Sequence, residues 1–404
     1  MSAAPAPGTD TYDVVVAGGG PAGCAAALVL ARAGRTVLLA DAGTGPRKVG
    51  ETLVPAGRVL LGDLGVADRV LGSGHLPCYG SLSAWGSAGL HAVDFINDPH
   101  GHGWHLDRRL FDRRLRDASR AAGAEVAEGS AVRDTARTPD GGWTLVLRGG
   151  TGPAGTRSGG ERTVRCRWVI DATGRPAAIA VRCGARRRVG DRLTALYVPL
   201  EADPLDTDRR SLVESDEDGW WYTAPQPAGG RLVAYFTDAD LPAASHTARH
   251  FHRRMSATRH VSRWVHRGGP PPPSPAAPRR AAAHTAHLDT VYGDGWTAAG
   301  DAAVAFDPLS SQGVLTALYT GLGAGLAVDT QLGRAPHGAD AALGTDSALA
   351  AYADKVAAAR SAYLRGHRVI HAQETRWIDR AFWARRLADL SDSSRRPQEE
   401  PSTP

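Results

Sequence analysis

The sequence predicts an α/β protein built on a dinucleotide-binding βαβ unit, because three features follow one another near its N-terminus. A short apolar and β-branched run, Tyr12–Ala17, is typical of a buried parallel strand. A glycine-rich turn, Gly18–Gly23, leads into an Ala/Leu-rich helix. A second apolar strand ends at Asp41, 18 residues after Gly23, where its carboxylate can accept a hydrogen bond from a ribose hydroxyl.

The residues of the turn have separate expected roles. Gly18 permits the tight turn, Gly20 lets the backbone approach a pyrophosphate, and Gly23 lets helix and strand pack closely. Pro21 and Ala22 begin the helix, whose free N–H groups and positive dipole end favour a phosphate. A glycine-rich turn without a ligand is the alternative. The flanking strands, the helix and the acidic residue together favour the nucleotide.

Composition limits the possible partners. The 404 residues have a formal charge of +5, and the basic residues are scattered, which excludes a dense nucleic-acid-binding run. Four cysteines without C-x-x-C spacing indicate free thiols in a reducing compartment. We find no signal-peptide pattern and no apolar run of about 18 residues. We therefore expect a soluble, cytoplasmic protein that binds neither nucleic acid nor a membrane.

The second strand is followed by an unusual turn, Gly50-Glu51-Thr-Leu-Val-Pro55, and by a helix predicted around residues 57–64. Glu51 either faces a site or lies in the first turn of that helix, where the dipole favours an acid. Alternating segments at residues 79–85 and 90–96 predict half-buried strands outside the nucleotide domain.

Residues 101–108 predict a strand end that enters an amphipathic helix, with Asp107 as the N-cap. Arg108, at the start of that helix, is a candidate to hold the cofactor's phosphate or its sugar-chain oxygens. The alternative role is a surface pair with Asp112. His102 and His105 lie in the same segment, and for each histidine taken alone the residue pattern favours a structural role over a catalytic one.

A second, antiparallel sheet is predicted from strands at residues 195–200, 219–225 and 231–236, whereas residues 124–126 and 143–147 predict a hairpin layer. Trp220, Tyr222 and Trp85 could line a pocket for a flat substrate or form sheet core. Helices are predicted over residues 248–266 and 347–387, and from Pro308 to Ala327.

The chain therefore divides, in our prediction, into a nucleotide-binding domain of three parts and a substrate domain inserted between them. The boundaries are as follows: nucleotide-binding parts 11–75, 99–185 and 285–335; substrate-domain strands 76–98 and sheet 186–284; C-terminal helices 345–390; disordered tails 1–10 and 391–404.

Three separated glycine sites, Gly18–Gly23, Asp171–Gly174 and Gly300–Asp301, resemble the FAD-binding pattern of the glutathione-reductase-type flavoproteins, in their aromatic hydroxylase branch. The resemblance implies bound FAD in a Rossmann domain, with Asp301 on the ribityl chain. It also implies that the helix after Pro308 points its N-terminus, with Gln312 and Gly313, at the flavin edge where charge collects on reduction.

Further motifs indicate a particular superfamily within this branch of flavoproteins. The Gly50–Pro55 turn, the Trp220–Pro225 strand and Phe306–Gly313 resemble the flavin-dependent tryptophan halogenase superfamily. Residues 79–86, 101–108 and 307–313 look most like the flavoprotein maturases of lysine oxidase and glycine oxidase, and the related monooxygenase of quinohemoprotein amine dehydrogenase. Those relatives hydroxylate a tryptophan of a partner polypeptide.

Halogenation is the runner-up. Halogenases have a lysine about 25 residues past the glycine-glutamate turn, but residues 75–96 contain none, and Lys48 and Lys355 are the only lysines of the chain. Arginine cannot replace that lysine as a nucleophile, because it stays protonated. The halogenase Trp-x-Trp-x-Ile-Pro signature is altered to Trp220, Tyr222, Ala224 and Pro225.

The resemblance implies an FAD-dependent monooxygenase that acts through a flavin C4a-hydroperoxide on an indole-type ring, either small or in a tryptophan-containing polypeptide. The candidate catalytic residues are Glu51, His105 and Ser311, with His102 a further possible base. No metal is expected. The sequence lacks a second nucleotide motif, so either direct NAD(P)H reduction or a separate flavin reductase remains open. A small-phenol hydroxylase and a non-catalytic flavoprotein are the remaining alternatives.

Overall fold

A computed structural model describes residues 10–43, 52–149, 160–201, 206–265, 276–333 and 346–393. The chain divides into two compact units: the first comprises residues 1–77, 97–190 and 284–360, and the second residues 78–96, 191–283 and 361–404. In the described ranges, every helix is too short or too polar to cross a membrane.

The strands are numbered in chain order. They are β1 Asp10–Ala17, β2 Val37–Asp41, β3 Thr52–Leu53, β4 Leu76–Cys78, β5 Gly80–Ala84, β6 His91–Asp94, β7 Gly103–His105, β8 Glu125–Glu128, β9 Ser130–Arg137, β10 Trp143–Gly149, β11 Glu161–Asp171, β12 Arg187–Val189, β13 Leu193–Leu200, β14 Ser211–Asp216, β15 Gly219–Pro225, β16 Arg231–Asp238, β17 Arg279–Ala282, β18 Ala286–Leu288, β19 Tyr292–Gly293, β20 Trp296–Ala298 and β21 Val304–Ala305.

The helices are numbered in the same way. They are α1 Pro21–Arg32, α2 Gly57–Asp63, α3 Ala67–Leu71, α4 Arg108–Ala121, α5 Ala178–Arg182, α6 Ala248–Ala257, α7 Val261–Val265, α8 Gly313–Gly333, α9 Asp346–Ala372 and α10 Ala381–Ser393.

The first unit is organised by a sheet whose main path has the order β19-β20-β11-β1-β2-β8. Strands β20, β11, β1, β2 and β8 are parallel to one another, so their carboxyl ends meet at one edge, whereas β19 pairs antiparallel with β20 and β10 antiparallel with β11. The centre of β1, Val14–Val16, is fully buried, as expected for a parallel sheet covered on both faces. Smaller sheets, β12-β18-β21 and β3-β7-β4, lie outside this path. The predicted α/β class is confirmed.

Helices α1 and α8 pack closely, because glycines bring their backbones together. A Cβ placed on Gly321 would come 2.2 Å from the carbonyl oxygen of Ala22, and one on Gly325 would come 3.0 Å from that of Ala26. The contact connects the first glycine-rich turn with the helix that follows Ser311.

The second unit is organised by a sheet of order β17-β13-β16-β15-β14-β5-β6. It is antiparallel except for the parallel pair β14 and β5, which are far apart in sequence. One face packs on the helices α6 and α7 through a core that includes Trp221, Tyr235 and Phe251. Trp221 and Phe251 meet edge to face with ring centroids 5.1 Å apart.

Three helix predictions were wrong in their extent. The helix expected from Pro308 begins at Gly313, because Ser311 adopts a left-handed conformation (φ 51°) that ends a short 3-10 turn. The helix expected over 248–266 divides into α6 and α7, since the backbone of Thr258 is extended. The helix expected over 347–387 divides into α9 and α10.

The hairpin prediction was also wrong in its pairing. Residues Glu125–Glu128 form β8, which lies parallel to β2 in the main sheet, whereas β10 pairs with β9. The predicted tails lie outside the described residues, except that Asp10 begins β1 and residues 391–393 end α10. The predicted helix at 57–64 and the Asp107 N-cap are confirmed: the Asp107 carboxylate accepts from the N–H of Leu110 at 3.0 Å.

Candidate active site

The turn between β1 and α1 requires glycine at two positions. Gly18 has a φ of +116°, and a Cβ there would come 2.1 Å from the carbonyl oxygen of Ala172. A Cβ on Gly23 would come 1.8 Å from the carbonyl oxygen of Gly18. Gly20 is the N-cap of α1, without a side-chain cap, and the first turn has no acidic residue. The helix end therefore presents backbone N–H groups and a positive dipole, as a pyrophosphate site needs.

Asp41 ends β2 beside this turn. Its carboxylate lies 3.1 Å from the Arg116 guanidinium on α4 and accepts from the N–H of Gly43 at 3.3 Å. Arg116 also donates to the carbonyl oxygen of Gly19 at 3.3 Å. The predicted ribose acceptor is therefore held in place by an arginine from a helix about 75 residues further on (116 − 41 = 75).

The second glycine site is held together by a buried carboxylate. Asp171 is fully buried, and its two oxygens accept from Thr173 and from the N–H groups of Ile179 and Ala180 at 2.7–3.0 Å. These bonds fold the chain after β11 into a tight turn that includes Gly174 (φ +78°). The N–H of Ala172 donates to Ala17 at 2.9 Å, so this turn adjoins the first one.

The third glycine site joins the other two. Gly300 has a φ of +63°, and a Cβ there would come 2.7 Å from the Ala22 side chain. Its N–H donates to the Thr320 hydroxyl of α8 at 2.8 Å. The N–H of Ala299 donates to the Asp171 carbonyl at 2.9 Å. The fold thus brings all three predicted glycine sites together at the carboxyl edge of the parallel sheet.

Asp301 follows Gly300 and is flanked by two arginines. Arg187 donates to the Asp301 main-chain oxygen at 3.2 Å, and Arg175 lies 3.7 Å from its carboxylate. Burial lowers the pKa of Arg187, and the neighbouring Arg175 lowers it further. The Asp301 side chain remains 40% exposed. Its backbone is therefore fixed while its carboxylate stays available to a hydroxyl of a ligand.

The segment before α8 is more exposed than the chain on either side of it. Asp307 is buried and caps a 3-10 turn by accepting from the N–H of Leu309 at 2.8 Å. Pro308, Ser311, Gln312 and Gly313 are all exposed. Gly313 has no side chain, and among the described residues no atom outside its own helix lies within 4 Å of a Cβ added to it. The N-terminus of the 21-residue helix α8 is therefore open to a ligand.

The candidate bases have different surroundings. His105 on β7 is 3% exposed, and its Nδ1 lies 3.3 Å from the hydroxyl of Thr52, its partner on β3. The His102 Nδ1 lies 2.7 Å from the carbonyl oxygen of Gly103, and its ring packs on Trp104. Glu51 and Lys48 lie outside the described residues.

Arg108 does form the pair weighed as the alternative, but in a buried rather than a surface position. Its side chain is 5% exposed, and it contacts the Asp112 carboxylate with three hydrogen bonds of 3.1–3.2 Å. The cofactor-binding role of Arg108 stays a prediction.

The predicted pocket aromatics all belong to the second unit. Trp220 is 1% exposed and stacks on Phe236 with ring centroids 3.9 Å apart. Trp85 donates from its indole nitrogen to the Ile370 carbonyl at 2.8 Å and meets Trp383 edge to face. Tyr222 lies on β15, two residues after Trp220, and is half-buried. Their role toward a substrate stays a prediction.

Sequence reasoning missed Arg116, Arg175, Arg187 and Thr320, which hold Asp41, Asp301 and Gly300. For the three arginines, the only sequence signal is the almost exclusive use of arginine as the cation, which does not select particular positions among 45 arginines (47 − 2 lysines). Thr320 has no such signal.

These features are the ones that binding of FAD requires. A dinucleotide needs a tight glycine turn, an uncapped helix N-terminus and an acid beside it, and Gly18–Gly23 with Asp41 provide all three. An acid and a second helix N-terminus, at Asp301 and Gly313, are available to the rest of the cofactor.

The comparisons with known proteins define the class. Residues 11–319 match the family model described as FAD binding domain, so the chain belongs to that family and binds FAD. The chain is 28% identical over 400 residues to the FAD-dependent oxidoreductase LodB of Marinomonas mediterranea, covering 94% of this chain and 98% of LodB. It is also 25% identical over 356 residues to a pyrrole-2-carbonyl carrier-protein chlorinase of Pseudomonas fluorescens, covering 76% and 73%.

Solved structures of flavin-dependent enzymes also resemble this chain. The peptidyl tryptophan dihydroxylase QhpG superposes with a TM-score of 0.74 at 25% identity, covering 93% of this chain and 79% of QhpG. The halogenase CndH superposes with a TM-score of 0.78 at 20% identity, covering 97% and 92%, which shows a shared fold. The protein is an FAD-dependent oxidoreductase of the monooxygenase type, related to the flavin-dependent halogenases. The predicted fold class, enzyme class and cofactor are confirmed.

Proposed function

We propose that this enzyme hydroxylates an indole-type ring, in a tryptophan of a peptide or protein client. One observation favours hydroxylation over halogenation most strongly: residues 75–96 contain no lysine. The likeness to LodB over nearly the full length of both chains, and to the peptidyl tryptophan dihydroxylase QhpG, supports the same choice.

Bound reduced FAD would supply the two electrons that split O2, so that one oxygen atom goes to the ring and the other to water. The residues of this chain have to hold the cofactor, exclude water and position the ring. Gly18–Gly23 and Asp41 would bind the dinucleotide, and the α8 N-terminus would stabilise negative charge at the flavin by about 0.3–2 kcal/mol.

A base that removes the N–H proton of the indole would make the ring more electron-rich. Glu51 and His105 are our candidates, since Glu51 precedes Thr52 in the chain and Thr52 pairs with His105 across β3 and β7. We assign Ser311 to the loop that would adjoin the reacting ring. Trp85, Trp220 and Tyr222 would shape the substrate pocket in the second unit.

The main experiment supplies the enzyme with FADH2 and O2, together with a panel of tryptophan-containing peptides, free tryptophan and small phenols. Product masses are measured with and without bromide and chloride. Hydroxylation adds about 16 mass units, whereas a halogen would replace hydrogen in the alternative function. Catalytic halide incorporation would contradict the assignment, and incorporation that survives Lys48→Ala and Lys355→Ala would show that the argument from the missing lysine fails.

The source of the reducing electrons is tested in a separate, anaerobic reaction. We propose that a separate flavin reductase supplies the reduced cofactor, because the sequence contains one nucleotide motif rather than two. Flavin bleaching under anaerobic conditions with NADH or NADPH alone, at a rate equal to turnover, would instead establish direct reduction.

Glu51→Gln, His105→Gln and His102→Gln compare the three possible bases. We expect Glu51→Gln to retain FAD but to slow product formation at least about tenfold, about 1.4 kcal/mol of barrier. The alternative role at a helix start would reduce the melting temperature and leave the rate per flavin-loaded molecule unchanged. That result would remove Glu51 from the site.

A further inference from the structure

The sheet of the second unit ends in two edges of opposite character. At one edge, β17 presents the exposed side chains of Arg279 and Arg280. Charged side chains protect such an edge from pairing with another strand. At the other edge, β6 is exposed along its whole length. Val93 is 60% exposed there, and Ile96, just beyond the strand, is 88% exposed.

Part of the backbone of β6 faces outward, away from its partner strand β5. Ser81 pairs with Val93 and Leu82 with Ala92, and the N–H of Phe95 donates to Tyr79 at 2.8 Å. Antiparallel pairs alternate between hydrogen-bonded and non-bonded, so the N–H and C=O groups of Ala92 and Asp94 point away from β5. In the described part of the chain, β6 is the last strand on that side of the sheet.

We infer that the β6 edge is a docking site for an extended, apolar segment of the polypeptide client, which adds to the sheet as a further strand beyond β6. This inference rests on the proposed function. Backbone bonds to Ala92 and Asp94 would give affinity, and alternate side chains of the segment would pack on Val93 and Ile96. In the sequence of the client, the docked segment would be separate from the tryptophan that is oxidised.

The size of the edge selects this occupant. A strand of four residues is about 13 Å long, too short to bury the roughly 1,000 Å² that a stable protein dimer needs. A weak site of this kind is useful when the same polypeptide also enters the active site, because the second contact then forms at high effective concentration.

Charge at the edge adds a preference. Asp94 lies 3.9 Å from Arg210, which is already bonded to Asp208 at 2.9 Å. Two carboxylates therefore share the Arg210 guanidinium, and Asp94 is the more distant of the two. We expect the docked segment to have a basic residue near Asp94.

The test uses two proline variants. Ala92→Pro removes an outward N–H of β6 without breaking a bond to β5. Ala282→Pro is the matched control, because Ala282 is exposed and lies on the opposite edge strand β17. The N–H of Ala283 donates to Leu193, so that of Ala282 points outward as well.

The probe is a fluorescein-labelled peptide of about twelve residues in which valine alternates with threonine and lysine, without tryptophan. Fluorescence anisotropy should show saturable binding to the FAD-loaded wild-type protein. Ala92→Pro should weaken binding at least about fivefold, and Ala282→Pro should not change it. Absence of binding, or equal loss in both variants, overturns the inference. A dimer that dissociates on Ala92→Pro overturns it in favour of a second copy of this chain.

A second measurement connects the edge to turnover. The same peptide is extended by a flexible linker and one tryptophan, and hydroxylation is compared with that of the linker and tryptophan alone. Ala92→Pro should raise KM for the extended peptide and leave kcat and the shorter substrate unchanged. Binding without hydroxylation would contradict the proposed function and leave the docking site standing. Hydroxylation of the extended peptide without binding at the β6 edge would support the proposed function and overturn the docking site.

Discussion

Different interactions hold the backbone in place in the two units. In the first, glycines let main chains touch, as at Gly18 beside Ala172 and Gly23 beside Gly18. In the second, buried charged side chains connect distant segments. Glu374 is fully buried and accepts from the N–H of Gly86 and the hydroxyl of Ser215, at 3.0 and 2.7 Å. Both devices join segments that are far apart in sequence: Gly18 and Ala172 are 154 positions apart (172 − 18 = 154), and Gly86 and Glu374 are 288 positions apart.

The difference explains how each unit would respond to change. A glycine contact is lost when any Cβ is added, because moving the backbone aside costs free energy. A buried carboxylate fails when its charge or its partners are lost, and so depends on pH. Five predictions test how the two units respond, from the largest expected effect to the smallest.

The largest effect is expected from Gly23→Val. Its Cβ would come 1.8 Å from the carbonyl oxygen of Gly18, which costs about 3 kcal/mol or more and closes the pyrophosphate site. We expect little folded protein and no FAD absorbance in what folds. Gly62→Ala is the control, because it lies in α2 with no atom within 4 Å of the added Cβ. That variant should keep wild-type flavin content. A Gly23→Val protein with full FAD content would refute the close-contact argument.

Glu374→Gln should cost about 2 kcal/mol. The change removes the charge that accepts two hydrogen bonds from the Arg376 side chain and one from Ser215. Glu217→Gln is the control, since Glu217 is 51% exposed in its pair with Arg380 and should cost less than about 1 kcal/mol. Melting temperatures followed by tryptophan fluorescence measure both. Equal shifts would show that burial does not distinguish the two pairs.

The same site predicts an acid dependence. Burial raises the pKa of Glu374, but hydrogen bonds from Arg376 and Ser215 outweigh it, so the pKa lies below the ordinary value of 4.5. Its stabilising contribution is therefore complete above about pH 4.5 and is lost as the pH falls through the lower folded pKa. Below that window, wild type and Glu374→Gln should converge in stability.

Asp41→Asn should weaken FAD binding about tenfold, about 1.4 kcal/mol, because the amide cannot accept from the ribose as a charged oxygen does. Arg116→Gln should weaken it less, since Arg116 holds Asp41 and does not itself bind the ribose in our assignment. Flavin release measured by fluorescence gives both values. A larger loss with Arg116→Gln would assign the cofactor contact to the arginine.

The smallest effect concerns His75 in the first unit. Its Nδ1 accepts from the N–H of Asp107 at 3.1 Å and its Nε2 donates to Val70 at 3.1 Å, which requires the neutral ring. Burial lowers the pKa of His75, so stability is complete above the unfolded value of about 6.5 and falls as the pH decreases below it.

His75→Gln should therefore flatten the dependence of unfolding free energy on pH between about 7.5 and 5.5, by at most about 1.4 kcal/mol per pH unit. His100→Gln is the exposed control and should retain the wild-type slope. An unchanged slope in His75→Gln would show that another group titrates in this range.

The first unit was predictable to a large extent. The β1-turn-α1-β2 order and the glycine sites at Asp171–Gly174 and Gly300–Asp301 were all read from sequence, because each is a short pattern with one backbone solution. The structure joins them at one sheet edge, as the parallel order requires. The register of the β3 and β7 pair, which brings Thr52 to His105, had no such local signal.

The errors have a common cause. The start of α8 was misplaced by the left-handed Ser311, and α6 and α9 were extended across breaks at Thr258 and after Ala372. In each case the break depends on the backbone conformation of a few residues, which the apolar pattern on either side does not reveal.

The sequence by itself determined the FAD-binding fold class, because glycine, proline and apolar periodicity act through the local backbone and leave a readable order. Only the tertiary structure decided which of 45 arginines hold Asp41 and Asp301, where β5 joins β14, and that the two edges of the second sheet differ. Those features depend on pairs of residues far apart in the chain. Their energies arise only when folding brings the partners together and removes water from between them.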